Sequence, residues 1–161
     1  MKKIIALLLA AVMVMCLFAG CASSGGSKVI KIGVFEPQSG DNGAGGKQEI
    51  LGMQYANKMI PTVTIGGEEY KVELVYADNA SSNDKAPTAA QTLISQGVSV
   101  VLGSYGSGVS IAASDTFKQA GIPAIGVTCT NPNVTAGNSH YFRICFLDPF
   151  QGTVLANYAS S

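Results

Sequence analysis

Short, β-branched apolar runs alternate with longer stretches of helical spacing along most of this chain. Val29 to Phe35 (VIKIGVF) reads as a strand buried on both faces. A Gly-rich loop, Glu36 to Gly46, follows it. Lys47 to Ile60 then places Ile50, Leu51, Met53, Tyr55, Ala56 and Met59 close to helical spacing, and Pro61 stops the helix. Thr62 to Ile65, the Gly66-Gly67 turn and Tyr70 to Ala77 predict a β-hairpin. Asp84 to Gln96 predicts a helix with Pro87 in its first turn and Gly97 just past its end. Val98 to Leu102 predicts a second buried strand, and Val109 to Gln119 a helix closed by Gly121. Ile122 to Val127 reads as a strand, Thr128 to Ser139 as a polar loop, and His140 to Phe146 as a further strand. A last helix starts at Phe150.

With the hairpin counted as one unit, the order is β-α-β-α-β-α-β-loop-β-α, without internal repeats. That alternation predicts an α/β fold: an open, mostly parallel sheet with helices on both faces. Ligands of such sheets bind outside the carboxyl ends of the strands. Three loops leave strands on that edge: Glu36 to Gly46, Gly103 to Gly108, and Thr128 onward.

The N-terminus follows a different pattern. Lys2 and Lys3 precede an apolar run, Ile4 to Phe18, which is short for a membrane span. Small residues Ala19 and Gly20 then lead to Cys21. This resembles the lipobox of bacterial lipoproteins, in which the cysteine is lipidated and becomes residue one; Phe18 stands where Leu is usual. An ordinary cleaved secretion signal and an uncleaved anchor helix are the alternatives. All three place the rest of the chain outside the cytoplasm. Residues 1–20 are thus expected to be a signal peptide, and 21–27 (CASSGGS) a flexible tether.

Charge adds an exclusion. The 161 residues carry ten basic and ten acidic side chains; without Lys2 and Lys3 the mature part has eight and ten. No basic run exists, so nucleic acid is not an expected partner. With Cys16 in the signal and Cys21 as the lipid site, only Cys129 and Cys145 remain. They form either a disulfide or two buried small side chains. Neither lies in a CxxC pair, which argues against zinc, and no cofactor is expected.

The loop Gly103-Ser104-Tyr105-Gly106-Ser107-Gly108 is the leading candidate for chemistry. It joins a buried strand to a helix N-terminus, where unpaired N–H groups favour an anion. Its glycines, Gly106 among them, allow close approach of a ligand. Ser107 either donates to an anionic oxygen or caps the helix. The spacing is neither a P-loop nor a dinucleotide fingerprint: Asp41 stands where a P-loop's first Gly belongs, and Gln48 follows Gly46-Lys47. An anion site without Lys or Arg suits a single carboxylate. Thr128-Cys129-Thr130-Asn131-Pro132 supplies further hydroxyls and carbonyls, although turn chemistry alone accounts for Asn131. Nothing marks the lone His140 as a base for Cys129, and no two carboxylates have the spacing of an acid–base pair.

Several segments together resemble the type I periplasmic binding proteins, in particular the branched-chain amino-acid-binding subunits of ABC transporters. These are Lys31-Ile32-Gly33-Val34-Phe35 with Ser39-Gly40, Val100 to Ser107 with Ala113-Ser114-Asp115, Gly121-Ile122-Pro123, Thr130-Asn131-Pro132, and Tyr141-Phe142-Arg143 with Asp148 to Gly152. The resemblance implies that Ser107, by hydroxyl and N–H, holds the α-carboxylate of an amino acid. It implies that Thr130 bonds carboxylate and amino group, and that the Thr128 carbonyl accepts from the amino group. Family members often cover the ligand with an aromatic ring from the first loop; here Gly45 stands in that place, and Tyr105 either substitutes or packs. The family has two lobes, the second supplying an acidic partner for the ammonium group. The expectation is therefore an N-terminal fragment, with residues 28–147 as the ligand-binding lobe and 148–161 as the start of the crossover. The function implied is an extracytoplasmic, lipid-anchored solute-binding protein that hands an amino acid to a permease. A sensor module of the same fold and an extracytoplasmic α/β enzyme are the rivals; no nucleophile–base pair supports the enzyme.

Overall fold

Val34 and Phe35 are adjacent on one strand, so their side chains leave opposite faces, and both are fully buried. The sheet is therefore covered on both sides. The computed structural model describes residues 28–161; the expected signal (1–20), Cys21 and the expected tether (21–27) lie outside the described residues. The strand is β1 (Val29–Glu36). It is followed by α1 (Gly43–Met59), β2 (Thr62–Ile65), β3 (Glu68–Asp78) and α2 (Ala86–Ser95). Then come β4 (Val100–Leu102), α3 (Ser107–Gln119), β5 (Ala124–Gly126), a 3-10 turn (Pro132–Val134), β6 (Tyr141–Arg143) and α4 (Asp148–Ala159). The sheet order is β2-β3-β1-β4-β5-β6. Only β2 is antiparallel, paired to β3 through the hairpin; the other neighbours are parallel. This is the open, mostly parallel α/β sheet expected from the alternation.

The main core lies between the sheet and the pair α2–α3. Phe35, Leu93, Val101, Ala113 and Phe117 are among its fully buried members. Phe35 and Phe117 meet edge to face, with ring centroids 5.3 Å apart; burying each ring is worth roughly 1.5–3 kcal/mol. On the opposite face Val34, Ile50 and Met53 form a smaller core under α1.

The structure corrects the reading of α1 in two ways. The helix begins at Gly43, inside the run expected to be loop. The first-turn glycines permit close packing: a Cβ on Gly46 would lie 2.1 Å from the Pro37 carbonyl oxygen. Of the apolar positions expected inward, only Ile50 and Met53 are buried. Leu51, Tyr55 and Met59 form an exposed row at i, i+4, i+8 on a separate face. The last helix also starts earlier than expected, at Asp148 with Pro149 in its first turn, and none of its residues is buried. Cys129 and Cys145 are free thiols, not a disulfide.

Candidate functional site

The loop after β4 is fixed by its own neighbours. Gly103 has φ +121°, and a Cβ there would lie 2.2 Å from the Phe35 carbonyl oxygen, so the position requires glycine. The Tyr141 hydroxyl donates to the Gly103 carbonyl at 2.7 Å. Buried Asn79 donates to Ser104 Oγ at 3.0 Å and to the Phe35 carbonyl at 3.3 Å. Ser110 Oγ accepts from the Ser104 N–H at 3.2 Å and donates to the Gly106 carbonyl at 3.0 Å. The Tyr105 N–H donates to Glu36 Oε2 at 2.7 Å. Backbone donors up to Tyr105 are thus directed into the protein. The N–H groups at the start of α3 are left for a ligand, as helix geometry requires.

Gly106 is the N-cap of α3 and supplies no side-chain cap; Ser107 is the first helical residue. The capping alternative for Ser107 is therefore not realised. Its Oγ instead accepts from the Asn131 N–H at 3.3 Å, joining the loops after β4 and β5. A hydroxyl that accepts in this way keeps its own proton available for an incoming oxygen.

The loop after β5 is held by Arg143. Its Nη1 donates to the carbonyls of Cys129 at 2.8 Å and Asn131 at 2.9 Å. Its Nη2 donates to the Pro132 carbonyl at 3.2 Å and to Thr135 Oγ1 at 2.9 Å. This fan shapes the stretch that carries Thr128 and Thr130. The Thr128 hydroxyl donates to Glu49 Oε1, so it is occupied, while its carbonyl has no partner among the described residues. Thr130 accepts through its carbonyl from the Asp148 N–H at 3.1 Å. Its hydroxyl has no partner among the described residues. Cys129 is buried beneath them, and desolvation pushes its thiol up to about 11, so it is no nucleophile near neutral pH.

Tyr105 covers the third side. A Cβ on Gly45 would lie 2.5 Å from Tyr105 Cε2 and Cζ. The phenol ring thus fills the space that a side chain at 45 would take. The ring packs over Gly45, the place where family members often carry an aromatic. The first loop itself is tied to β3: Asp78 accepts from Gln38 N–H and Ser39 Oγ at 2.8 and 2.7 Å. Burial raises the Asp78 carboxyl, but donation from Ser39 and from the backbone of Gln38 and Ala80 outweighs it and leaves it below its usual range.

Sequence spacing missed the pairing of Glu36 with Glu49. Glu36 ends β1 and is fully buried; its carboxyl lies beside that of Glu49 on α1, and each keeps one buried oxygen without a partner. Desolvation, then the hydrogen bond and charge of Glu49, push Glu36 up to about 10 against the opposing Tyr105 N–H. The available signal was a carboxylate closing the buried, apolar end of a strand, after Gly33-Val34-Phe35.

The structure therefore brings Tyr105, Gly106, Ser107, Thr128 and Thr130 to one edge, at the carboxyl ends of β4 and β5. The free groups are α3 N–H donors, the Ser107 and Thr130 hydroxyls, and the Thr128 carbonyl. That set complements a carboxylate beside an ammonium. Among the described residues no group of three or more His, Cys, Asp or Glu is placed to hold a metal. The apolar hollows lie elsewhere, one lined by Phe146, Phe150, Val154 and Leu155, another by Ile32, Met53, Ile60 and Leu102. This strand-end edge is an open face.

A family model described as periplasmic binding protein matches residues 29–161. An amino acid binding protein of Pseudomonas aeruginosa is 38% identical over 132 residues, covering 80% of this chain and 35% of that protein. A leucine-binding protein from Thermotoga maritima has a TM-score of 0.74 and 34% identity, covering 81% of this chain and 37% of its own. The branched-chain amino acid transporter substrate-binding protein LivJ of Streptococcus pneumoniae, in complex with isoleucine, has a TM-score of 0.73 and 33% identity, over 83% of this chain and 38% of its own. The chain spans about a third of the length of the curated relatives it matches, 35% for the Pseudomonas protein.

Proposed function

The chain belongs to the periplasmic binding protein family, and on that premise we propose that it is the first lobe of an extracytoplasmic amino-acid-binding lipoprotein of an ABC importer. The observation that carries this reading is the pairing of Ser107 Oγ with the Asn131 N–H across two adjacent strand-end loops. It sets a free hydroxyl proton and the α3 N-terminus against Thr130 and the Thr128 carbonyl. The α-carboxylate of the ligand is bound by Ser107 and the α3 N–H groups, and its ammonium group by Thr130 and the Thr128 carbonyl. Tyr105 covers the side chain. The names of the relatives favour a branched-chain or similar amino acid.

A second lobe completes the site by closing over the ligand and desolvating its charges. Two features favour a two-lobe protein: the length of the relatives, and α4, whose Phe150, Val154, Leu155 and Tyr158 are all exposed. In this reading residues 28–147 are the ligand lobe, and the segment from Asp148 leads toward the second lobe. Residues 1–20 direct export, Cys21 carries the lipid, and 21–27 tether the lobe at the outer face of the membrane beside the permease. Binding and delivery involve no catalytic step.

Calorimetric titration of the full-length gene product with leucine, isoleucine, valine and a panel of other amino acids tests the reading. Saturable binding of at least one is expected; no binding across amino acids, small amides and short peptides refutes it. Membrane fractionation of Cys21→Ala tests the anchor: the variant is expected in the soluble fraction, and retention refutes lipidation at Cys21.

A further inference from the structure

Glu36 and Glu49 lie 13 positions apart in sequence (49 − 36) and on different elements, yet each places one oxygen on a ligand loop. Glu36 Oε2 accepts the Tyr105 N–H at 2.7 Å. Glu49 Oε1 accepts the Thr128 hydroxyl. Each carboxyl has a second, buried oxygen without a donor: Glu36 Oε1 and Glu49 Oε2. Two carboxylates in contact cannot both carry full charge in a buried site, whereas one proton between them supplies the missing donor.

We propose that Glu36 and Glu49 share one proton, and that this pair is a positioning device that sets Tyr105 and Thr128 for the ligand. The proposal rests on the amino-acid-binding reading for its effect on affinity. With the proton present, the pair is a single hydrogen-bonded unit from Tyr105 to Thr128, crossing β1 and α1. When the proton leaves, two like charges face each other at the floor of the loops. Glu49, the more exposed partner, then swings away from Glu36 and releases Thr128.

The groups around the pair do not supply another explanation. Tyr141 of β6 faces it from the far side, and its hydroxyl is occupied by the Gly103 carbonyl. Burial raises that phenol. Cys129, beside Tyr141, is raised to about 11 by burial and stays neutral below that. Asp78 lies opposite Glu36 in the β1–β3 register and is tied to Gln38 and Ser39. Among the described residues neither Glu36 nor Glu49 is in an ion pair with a Lys or Arg.

Two measurements on the full-length protein test this. The side-chain carboxyls are followed by carbon NMR from pH 4 to 10, assigned with Glu36→Gln and Glu49→Gln, alongside the Tyr105 amide. One carboxyl is expected to keep its proton well above neutral pH, and the Tyr105 amide to move in the same step. Ordinary titration of both carboxyls, or a static Tyr105 amide, overturns the proposal whether or not a ligand binds. The second measurement is affinity for the amino acid the wild type binds best. Wild type is expected to weaken about twofold more than Glu36→Gln between pH 7 and 10, and about tenfold more by pH 11. The glutamine amide donates to Glu49 permanently, and the comparison removes titration of the ligand's own amine. Glu36→Gln is expected within about threefold of wild type at pH 7, and Glu49→Ala about tenfold weaker. Equal alkaline loss in wild type and Glu36→Gln, or an unaffected Glu49→Ala, overturns the positioning role while leaving the binding reading intact. Absence of any ligand refutes the binding reading, and the affinity effect with it, while the NMR titration still decides the shared proton.

Discussion

Replacing Arg143 by Met removes the guanidinium and keeps most of the stem. Four acceptors lose the guanidinium: the carbonyls of Cys129, Asn131 and Pro132 and the Thr135 hydroxyl, of which the Asn131 and Pro132 carbonyls keep the N–H groups of Val134 and Thr135 at 3.2 and 3.3 Å. The Pro132 bond is long and exposed, and water replaces it. The two Nη1 bonds, at 2.8 and 2.9 Å, are short and half-buried. A hydrogen bond from a charged donor contributes roughly 1.5–3 kcal/mol. Counting only the two Nη1 bonds, and allowing for overlap between them, Arg143→Met is expected to cost about 3–5 kcal/mol. Arg143→Lys places one charge near one carbonyl and is expected to recover less than half of that loss. Urea unfolding of the full-length protein gives the energies, and amide exchange at Asn131 and Asn133 reports the loop itself. Exchange there is expected to accelerate more than in the α2–α3 core. A Met variant within about 0.5 kcal/mol of wild type, with unchanged exchange at those amides, would show that the fan does not hold the loop.

Ser107→Ala is expected to weaken ligand binding by roughly 1–3 kcal/mol and to change stability little, because Gly106 and not Ser107 is the N-cap; unchanged affinity in calorimetry returns Ser107 to a packing role. Glu36 holds a proton in the native state that the unfolded chain releases above its ordinary value of 4.5. Its contribution therefore lowers stability as pH rises from about 5 toward 10, by at most about 1.4 kcal/mol per pH unit, and levels off above that. Glu36→Gln is expected to flatten the slope, and urea midpoints that keep the wild-type slope refute the assignment. Gly46→Ala drives a Cβ to 2.1 Å from a backbone carbonyl and is expected to destabilise by about 2 kcal/mol. Gly52→Ala meets nothing within 4 Å on the exposed side of the same helix and is expected to stabilise by about 0.5–1 kcal/mol. Thermal melts of the two variants that shift in the same direction would contradict the packing account of the first-turn glycines.

The element order was legible because most strands carry β-branched or aromatic runs and the helices are punctuated by Gly or Pro. The parallel topology followed from the alternation. The start of α1 was hidden because glycine disfavours helix on propensity. At Gly45 and Gly46 tertiary packing overrides that preference by needing the space a Cβ would fill. The exposed row Leu51, Tyr55 and Met59 misled for a related reason: helical spacing identifies a face, not the partner that covers it. At the site, Ser107, Thr128 and Thr130 were legible as strand-end residues near a helix start. The supports around them were not. Arg143 and Glu36 act on loops 14 and 69 residues away, respectively, and a single sequence gives such contacts no periodicity.

The hydrogen bonds that assemble the ligand edge join residues distant along the chain. Gly103 to Tyr141 spans 38 residues, Phe35 to Asn79 44, Glu36 to Tyr105 69 and Glu49 to Thr128 79. Each carries a loop-closure entropy that local contacts, such as the β2–β3 hairpin, do not. The edge is therefore expected to form late in folding, after the sheet has ordered β1, β4 and β5 side by side. A chain still being synthesised has no complete edge before Thr128 has been added. A ligand that binds only the completed edge is then expected to slow unfolding without hastening folding.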